Sequence, residues 1–139
     1  MTRVLTFGVF DFFHIGHLNF LEKCREYGDY LIVGVQQDEY AAALKPGQSI
    51  LYHTGERVEM VKALRVVDEV FVYDTLRPET METADFDILA LGEDHIGERF
   101  DVIETWCNRL GKTVIRLPRT PEISSTLIRE RLIKNIQKA

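Results

Sequence analysis

The sequence predicts an α/β fold in which helices flank a five-stranded parallel sheet. Five short segments rich in Val, Ile and Leu are apolar at consecutive positions, as strands buried on both faces are. These segments alternate with segments of helical periodicity, which is the order of strand–helix–strand units. The chain has 139 residues, and no internal repeat or linker divides it. We therefore predict one Rossmann-like domain over residues 1–139.

The amino-terminal part of the chain predicts a strand–helix–strand unit. Residues 3–10 form an apolar strand, and residues 15–27 form a helix that ends near Gly28, the residue type that most often follows a helix. The segment YLIVGVQ at residues 30–36 is a second buried strand. Residues 37–53 are predicted as a long loop, and long loops in compact domains are often functional.

Helices and strands continue to alternate after this loop. A helix is predicted over residues 55–67 because Val58, Val61 and Leu64 recur at helical spacing and face inward. Pro78 favours a short helix over residues 77–85, since proline fits the first helical turn. The remaining predicted elements are strands over 69–74, 86–92 and 112–118, and helices over 99–110 and 125–136, the last of them amphipathic.

Composition excludes several classes of partner and location. The net charge is −5, whereas nucleic-acid binding rests on Lys and Arg contacts to phosphates. No apolar run approaches the roughly 18 residues of a membrane span, and the first residues enter a strand pattern without a signal-peptide layout. We expect a cytoplasmic protein that binds neither nucleic acid nor membrane. Cys24 and Cys107 are predicted as core thiols.

Two histidines flank a glycine in the segment HIGH, residues 14–17, where the first strand leads into the first helix. Ligands of parallel sheets bind at the carboxyl ends of strands, and a spacing of three puts His14 and His17 on one side. Gly16 lets a ligand approach the backbone, and free amides at a helix start favour an anion. This pattern predicts a phosphate site with two imidazole donors. A metal pair and two incidental histidines are the less favoured alternatives, because metal-binding pairs on a helix are usually spaced by four and both histidines fall at the ligand edge.

The segment HIGH resembles the signature of the nucleotidyltransferase superfamily, which includes class I aminoacyl-tRNA synthetases. This chain has no second KMSKS-like loop. It has instead RTPEISST at residues 119–126, which resembles RTEGISTT of the small cytidylyltransferases, above all those that act on glycerol 3-phosphate. Further segments agree: FGVFDFFHIGH resembles YGTFDLLHWGH, YGDYLIVGVQQDEY resembles LGDYLVVAISTDEF, and GEDHIGERFD resembles GDDWEGKFD.

The resemblance implies a role for each matching residue. The implied catalytic residues are His14, His17, Lys45 and Arg119. The implied nucleotide-binding residues are Phe10, Asp11, Gly16, Arg57, Gly92, Asp94, Arg119, Thr120, Ile123, Ser124 and Ser125. Asp11 would help to place metal-bound phosphates, and Lys45 would move onto the triphosphate from its loop. Taken alone, Lys45 could be a solvated lysine, Arg57 a surface helix residue, and the two serines helix caps.

The implied reaction transfers CMP from CTP to a small phosphate ester and releases pyrophosphate, with Mg²⁺ bound together with CTP. Glycerol 3-phosphate is the leading acceptor, and a homodimer is expected by resemblance. The sequence departs from the family pattern in five places that face the acceptor. Lys45 has no second lysine beside it, His95 replaces a tryptophan, Glu93 replaces an aspartate, Pro121 and Glu122 replace a glutamate and a glycine, and residues 74–82 match poorly. Arg77, His95 and Arg99 are candidates for binding the acceptor.

Three alternatives stay open at this point. The acceptor could be another small phosphate or phosphonate, such as an amino-alcohol or amino-acid phosphate that feeds a capsule or a secondary metabolite. The enzyme could be an adenylyltransferase that uses ATP. The chain could also be a nucleotide-binding module without catalytic activity.

Overall fold

The computed structural model of the chain describes residues 1–44, 49–121 and 123–138. Its centre is one parallel sheet of five strands in the order β3-β2-β1-β4-β5. The strands are β1 (Arg3–Gly8), β2 (Tyr30–Gln36), β3 (Glu69–Tyr73), β4 (Ile88–Gly92) and β5 (Thr113–Leu117). The predicted single domain with a five-stranded parallel sheet is confirmed, and each predicted strand end lies within two residues of the observed one.

Helices connect the strands and cover the sheet. They are α1 (Ile15–Glu26), α2 (Asp38–Leu44), α3 (Thr54–Lys62), α4 (Pro78–Met81), α5 (Glu98–Arg109) and α6 (Ser125–Lys138). The prediction of a loop over residues 37–53 is wrong in its first half, where α2 lies. Asp38 and Glu39 stand in the first turn of α2, where acidic side chains complement the helix dipole. The helices predicted at 55–67 and 77–85 end earlier than expected.

Each face of the sheet carries its own hydrophobic cluster. On the face covered by α4 and α5, the cluster includes Leu5, Phe7, Phe86 and Phe100. On the face covered by α1 and α3, it includes Val4, Leu21, Cys24, Leu31, Val33 and Val61. Cys24 and Cys107 are buried and free, as predicted, and burial raises the pKa of the Cys24 thiol to about 12. Helix α6 buries none of its residues.

The topology decides where a ligand can bind. The chain runs from β1 outward to β2 and β3, and then returns to the other side of β1 with β4 and β5. The loops that follow β1 and β4 therefore leave the sheet in opposite directions, and a crevice opens between them at the carboxyl ends of the strands. Among the described residues, no helix combines the length and apolar character needed to span a bilayer.

Candidate active site

A cavity of about 590 Å³ lies at the carboxyl ends of the strands. It brings together most of the residues that the sequence predicted for the site. Those that line it are Phe10, Asp11, His14, Gly16, His17, Gly92, Asp94, His95, Arg99, Arg119, Thr120, Ile123, Ser124 and Ser125. Arg57 and Arg77 are not among the lining residues, and Lys45 falls outside the described residues. The loops after β1, β4 and β5 thus converge on one site.

The two histidines of the HIGH segment stack on each other, with ring centroids 3.9 Å apart and planes inclined by 23°. The Nδ1 atom of His14 accepts a hydrogen bond from the Gly16 amide at 3.0 Å, and Nδ1 of His17 accepts one from the His14 amide at 3.1 Å. A neutral imidazole that accepts at Nδ1 carries its proton at Nε2, so these contacts assign both tautomers. The pair therefore carries two Nε2–H donors.

The charge state of His14 follows from its surroundings. Burial lowers the pKa of His14, and the positive charge of Arg119 lowers it further. A lowered pKa keeps the imidazole neutral to more acidic pH than a free histidine. The neutral His14 imidazole therefore lies close to the Arg119 cation without adding a second positive charge.

The loop between β1 and α1 is held in an uncommon backbone conformation. Phe10 and Phe12 have φ values of 58° and 51°. Residues other than glycine rarely adopt this left-handed backbone conformation. The Phe10 ring meets the His17 ring edge-on at 5.6 Å, and the Phe12 ring lies 4.9 Å from the Arg129 guanidinium carbon. Such strained positions persist where packing fixes them, and they cluster at functional sites.

The segment after β5 is fixed to this loop through the start of α6. The Ser124 hydroxyl accepts the Leu127 amide at 3.1 Å, which caps α6, and the Ser125 hydroxyl donates to the Asp11 carbonyl at 3.2 Å. Thr120 accepts a hydrogen bond from the Asn19 amide on α1 at 3.1 Å. The start of α6 consequently faces the cavity beside the histidines, where its unpaired amides favour an anion. The sequence prediction missed Asn19, a polar residue between Leu18 and Phe20 on α1.

Asp11 ties the site to the segment that returns from the undescribed residues 45–48. Its carboxylate accepts the Leu51 amide at 2.8 Å and the Tyr52 amide at 3.1 Å, and Arg129 lies 3.4 Å away. Both carboxylate oxygens therefore already have protein partners in this structure. The predicted help of Asp11 in placing metal-bound phosphates stays a prediction.

The side chain of Arg57, which was predicted to contact the nucleotide, does not line the cavity. Its side chain is fully buried on α3 and donates to the Val9 carbonyl at 2.7 Å and to the Tyr52 carbonyl at 2.9 Å. It also pairs with Asp38 at the start of α2. Burial alone would raise the pKa of Asp38, but hydrogen bonds from Arg57 and Thr54 hold it below its usual value. Arg57 thus joins three segments behind the cavity, and its contacts to carbonyl groups explain why it does not reach the surface.

His95 and Arg99 lie at the other end of the cavity, on the α5 side of the sheet. The His95 ring stacks against Phe7 at 5.4 Å and Phe100 at 5.0 Å, and its Nδ1 accepts the Gly92 amide at 3.0 Å. Burial lowers the pKa of His95. The positive charges of Arg99 and Arg116 lower it further, whereas the Asp94 carboxylate acts in the opposite direction. An added Cβ at Gly92 would lie 2.9 Å from the Asp94 carboxylate, which would have to shift.

Arg77 does not take part in this end of the cavity. It stands just before α4 and pairs with Asp74 at 3.1 Å, where its side chain is half-exposed. The proposed acceptor contact of Arg77 is therefore not supported by its position. The reason is local, because the Asp74 carboxylate and the Thr75 hydroxyl bind its guanidinium group.

Metal ligands are sparse in the described part of the chain, which holds no group of three or more His, Cys, Asp or Glu side chains able to hold an ion. Two carboxylates, of Asp11 and Asp94, line the cavity. Mg²⁺ usually keeps several waters and binds through one or two carboxylates together with substrate phosphates. The donor set fits an ion that arrives with a triphosphate.

Comparisons with known proteins agree with this geometry. The profile of the family described as cytidylyltransferase-like matches residues 5–131. The chain is 33% identical to glycerol-3-phosphate cytidylyltransferase of Bacillus subtilis, over 95% of this chain and 98% of that protein. It is 38% identical to an FAD synthase of Thermococcus sibiricus, over 84% and 80% of the two chains.

A solved structure shows the same fold. The lipopolysaccharide core biosynthesis protein of Thermoplasma volcanium superposes with a TM-score of 0.70 at 29% identity, covering 86% of this chain and 97% of that one. The family match extends from β1 into α6 and includes every segment that converges on the cavity. The chain therefore belongs to the cytidylyltransferase-like family, whose cytidylyltransferases are nucleotidyltransferase enzymes.

Proposed function

We propose that the protein transfers CMP from CTP to a small phosphate ester, glycerol 3-phosphate being the leading acceptor, and releases pyrophosphate. The observation that carries the proposal is the stacked pair of His14 and His17, with assigned Nε2–H donors, beside Arg119 and the start of α6. These groups are suited to a phosphate chain. The similarity to a glycerol-3-phosphate cytidylyltransferase along nearly the whole chain supports the choice of nucleotide and acceptor.

The proposed reaction is an in-line displacement at phosphorus. An oxygen of the acceptor phosphate forms a bond to the α-phosphorus of CTP, and the bond from that phosphorus to the bridging oxygen of pyrophosphate breaks. The acceptor phosphate is already ionised near neutral pH, so no general base is needed. Catalysis then consists of positioning and of charge stabilisation at the phosphoryl oxygens. His14, His17 and Arg119 supply donors, and Lys45 is proposed to add a second cation.

Mg²⁺ is proposed to bind together with CTP. When bound, it would neutralise charge on the triphosphate and on the departing pyrophosphate. Asp94, and Asp11 through water, are the cavity carboxylates that would hold it. The Leu51 and Tyr52 amides donate to the Asp11 carboxylate. These two hydrogen bonds hold the segment around residues 51–52 against the loop that carries the histidines.

A second candidate is an ATP-dependent adenylyltransferase. The match to an FAD synthase favours it, because FAD contains an adenine nucleotide. A different small phosphate or phosphonate acceptor is the other variant of the proposal, since His95 and residues 74–82 depart from the family pattern.

The test is pyrophosphate release with Mg²⁺, using CTP and ATP in parallel against a panel of small phosphates and phosphonates. Release with CTP and glycerol 3-phosphate is the expected result. Release with ATP alone would replace the nucleotide in the proposal, and release with CTP and another acceptor would replace only the acceptor. Absence of release across the whole panel, from folded protein, would overturn the proposal. A parallel preparation of the His17→Ala variant controls for contaminating enzymes.

A further inference from the structure

The cavity continues past the histidines to the ends of β2 and β3, where the sequence motifs assign no role. Gln36 and Tyr73 are the last residues of these two strands and are direct partners in the parallel register. Side chains at paired positions lie on the same face of a sheet. Here that face is the one covered by α4 and α5, because Tyr73 belongs to the same hydrophobic cluster as Phe7 and Phe100. Both Gln36 and Tyr73 line the cavity.

Each of these side chains has hydrogen-bonding capacity left for a ligand. The Gln36 amide nitrogen donates to the Asp74 carbonyl at 2.9 Å, which leaves its amide oxygen as an acceptor. The Tyr73 hydroxyl makes no hydrogen bond to any residue that the structure describes. Gln36 is 4% exposed and Tyr73 is 6% exposed, so little of either side chain meets bulk water. A ligand that reached them would replace the few water contacts they have.

The side chains that contact Tyr73 are aromatic, and the charges that act on its hydroxyl are those of Arg99 and Arg57. The Phe7 ring meets Tyr73 edge-on at 6.1 Å and stacks on Phe100 at 6.1 Å. Burial raises the pKa of the Tyr73 hydroxyl, which stays neutral, while the charges of Arg99 and Arg57 act in the opposite direction. The Asp74 carboxylate nearby is bound to an arginine and a backbone amide and does not line the cavity.

An acceptor hydroxyl suits this environment, and an acceptor ammonium group does not. A hydroxyl both donates and accepts, so it can bind a neutral amide oxygen and a phenol together. An ammonium group bound to Gln36 and Tyr73 would lose its hydration and meet the field of Arg99, whereas the Asp94 carboxylate lies beside Gly92 and His95.

We propose that Gln36 and Tyr73 bind hydroxyl groups of the acceptor and select a neutral polyol phosphate over an amine-bearing phosphate of similar size. This inference rests on the proposed function, because it concerns the acceptor end of the same cavity. It separates the polyol alternative from the amino-alcohol alternative that the sequence leaves open. Gln36 and Tyr73 are specificity-determining residues in this proposal and take no part in the bond-making step.

The test compares three small phosphate monoesters that differ in the polar groups of the alcohol: glycerol 3-phosphate, with two hydroxyls, propyl phosphate, with none, and ethanolamine phosphate, with an ammonium group. Steady-state rates are measured with CTP for the wild-type protein and for Tyr73→Phe, Gln36→Met and Tyr30→Phe. Tyr30→Phe is the matched control, since Tyr30 begins β2 at the opposite end of the sheet and its hydroxyl contacts Glu69. Melting curves establish that each variant is folded.

The wild-type protein is expected to prefer glycerol 3-phosphate. In Tyr73→Phe, KM for glycerol 3-phosphate should rise about three- to tenfold, the value of one neutral hydrogen bond. KM for CTP and for propyl phosphate should stay unchanged, because neither uses the phenol. The preference for glycerol 3-phosphate over propyl phosphate should therefore fall in Tyr73→Phe and Gln36→Met, but not in Tyr30→Phe.

An unchanged preference in folded Tyr73→Phe and Gln36→Met, with normal wild-type turnover, would overturn this inference and leave the proposed function intact. A wild-type preference for ethanolamine phosphate would also overturn it. If no turnover occurs, calorimetric titration of the same three phosphates into the CTP-free protein measures their binding affinities directly. Tighter binding of glycerol 3-phosphate than propyl phosphate, lost in Tyr73→Phe, would support the pair even if the proposed reaction failed. Equal binding would refute it.

Discussion

Replacement of Gly16 by alanine tests whether the position of the His14 ring controls the reaction. Gly16 is the second residue of α1, and its φ lies outside the left-handed region, so alanine fits the backbone there. An added Cβ would nevertheless lie 2.8 Å from Cε1 and 2.9 Å from Nδ1 of His14, and 3.1 Å from a methyl carbon of Ile123. Ordinary contact begins at 3.4 Å, so the ring must withdraw by at least about 0.6 Å (from 2.8 to 3.4 Å).

The size of the effect follows from this displacement. Catalytic groups tolerate errors of about 0.5 Å, and a misplacement of about 1 Å costs roughly a hundredfold in rate. We therefore expect kcat of Gly16→Ala to fall about tenfold to a hundredfold, equivalent to about 1.4 to 2.7 kcal/mol of activation free energy. Stability should change little, because alanine favours a helix by about 0.5 to 1 kcal/mol over glycine and offsets part of the steric cost.

The assay is single-turnover pyrophosphate release, together with a melting curve of the same preparation. Gly55→Ala is the matched control. Gly55 is also the second residue of its helix, α3, and an added Cβ there would meet nothing within 4 Å. Gly55→Ala should keep the wild-type rate. A Gly16→Ala variant as fast as Gly55→Ala would refute the reasoning, because it would show that the reaction does not depend on where His14 stands.

Three further predictions concern other parts of the site. His17→Ala should lower kcat by orders of magnitude while the melting temperature stays within a few degrees, because transition-state contacts affect rate more than folding; a near-normal rate in the folded variant would exclude the proposed role. Arg57→Ala should lower the free energy of unfolding by about 2 kcal/mol or more, measured by urea denaturation, since it empties a fully buried position and removes the hydrogen bonds to Val9, Tyr52 and Asp38; unchanged stability with a large rise in KM for CTP would instead indicate a direct nucleotide contact. Between pH 7.5 and 5.5 the free energy of unfolding should fall, because the pKa values of His14 and His95 lie below the ordinary value of 6.5 and the unfolded chain binds protons first. Stability that rises over this interval would contradict the lowered pKa values.

The strands could be predicted because strands buried on both faces are apolar at consecutive positions of the sequence. Residues 31–36 are buried at every position, and a short run rich in Val, Ile and Leu favours a strand covered on both faces. Helix α2 could not be predicted in the same way. Its sequence, DEYAAAL, has high intrinsic helix propensity but too few large apolar residues to show a helical period, and the following Pro46 and Gly47 favour a loop.

The site residues divide according to whether a motif or the tertiary fold determines their environment. The histidines, Arg119 and the serines stand in segments whose local order already implies the cavity, and the structure brings them together there. Arg57 also stands in a segment that resembles the family, but the tertiary fold determines its environment. Whether its guanidinium group meets solvent or the carbonyls of Val9 and Tyr52 depends on how distant loops pack, which neither its identity nor its spacing indicates. Gln36 and Tyr73 were missed for the same reason, although a polar residue at the last position of two neighbouring apolar strands was the available signal.

The three histidines that line the cavity share one hydrogen-bonding arrangement. His14, His17 and His95 each accept a backbone amide at Nδ1, and each therefore carries its proton at Nε2 when neutral. Burial and nearby arginines also lower the pKa of His14 and of His95, so the fold favours the neutral form of both imidazoles. A neutral donor attracts a bound triphosphate less than a cation does, but it still stabilises charge that develops at phosphorus. In the proposed reaction the histidines consequently act on the transition state more than on the substrate, which is the difference that raises kcat.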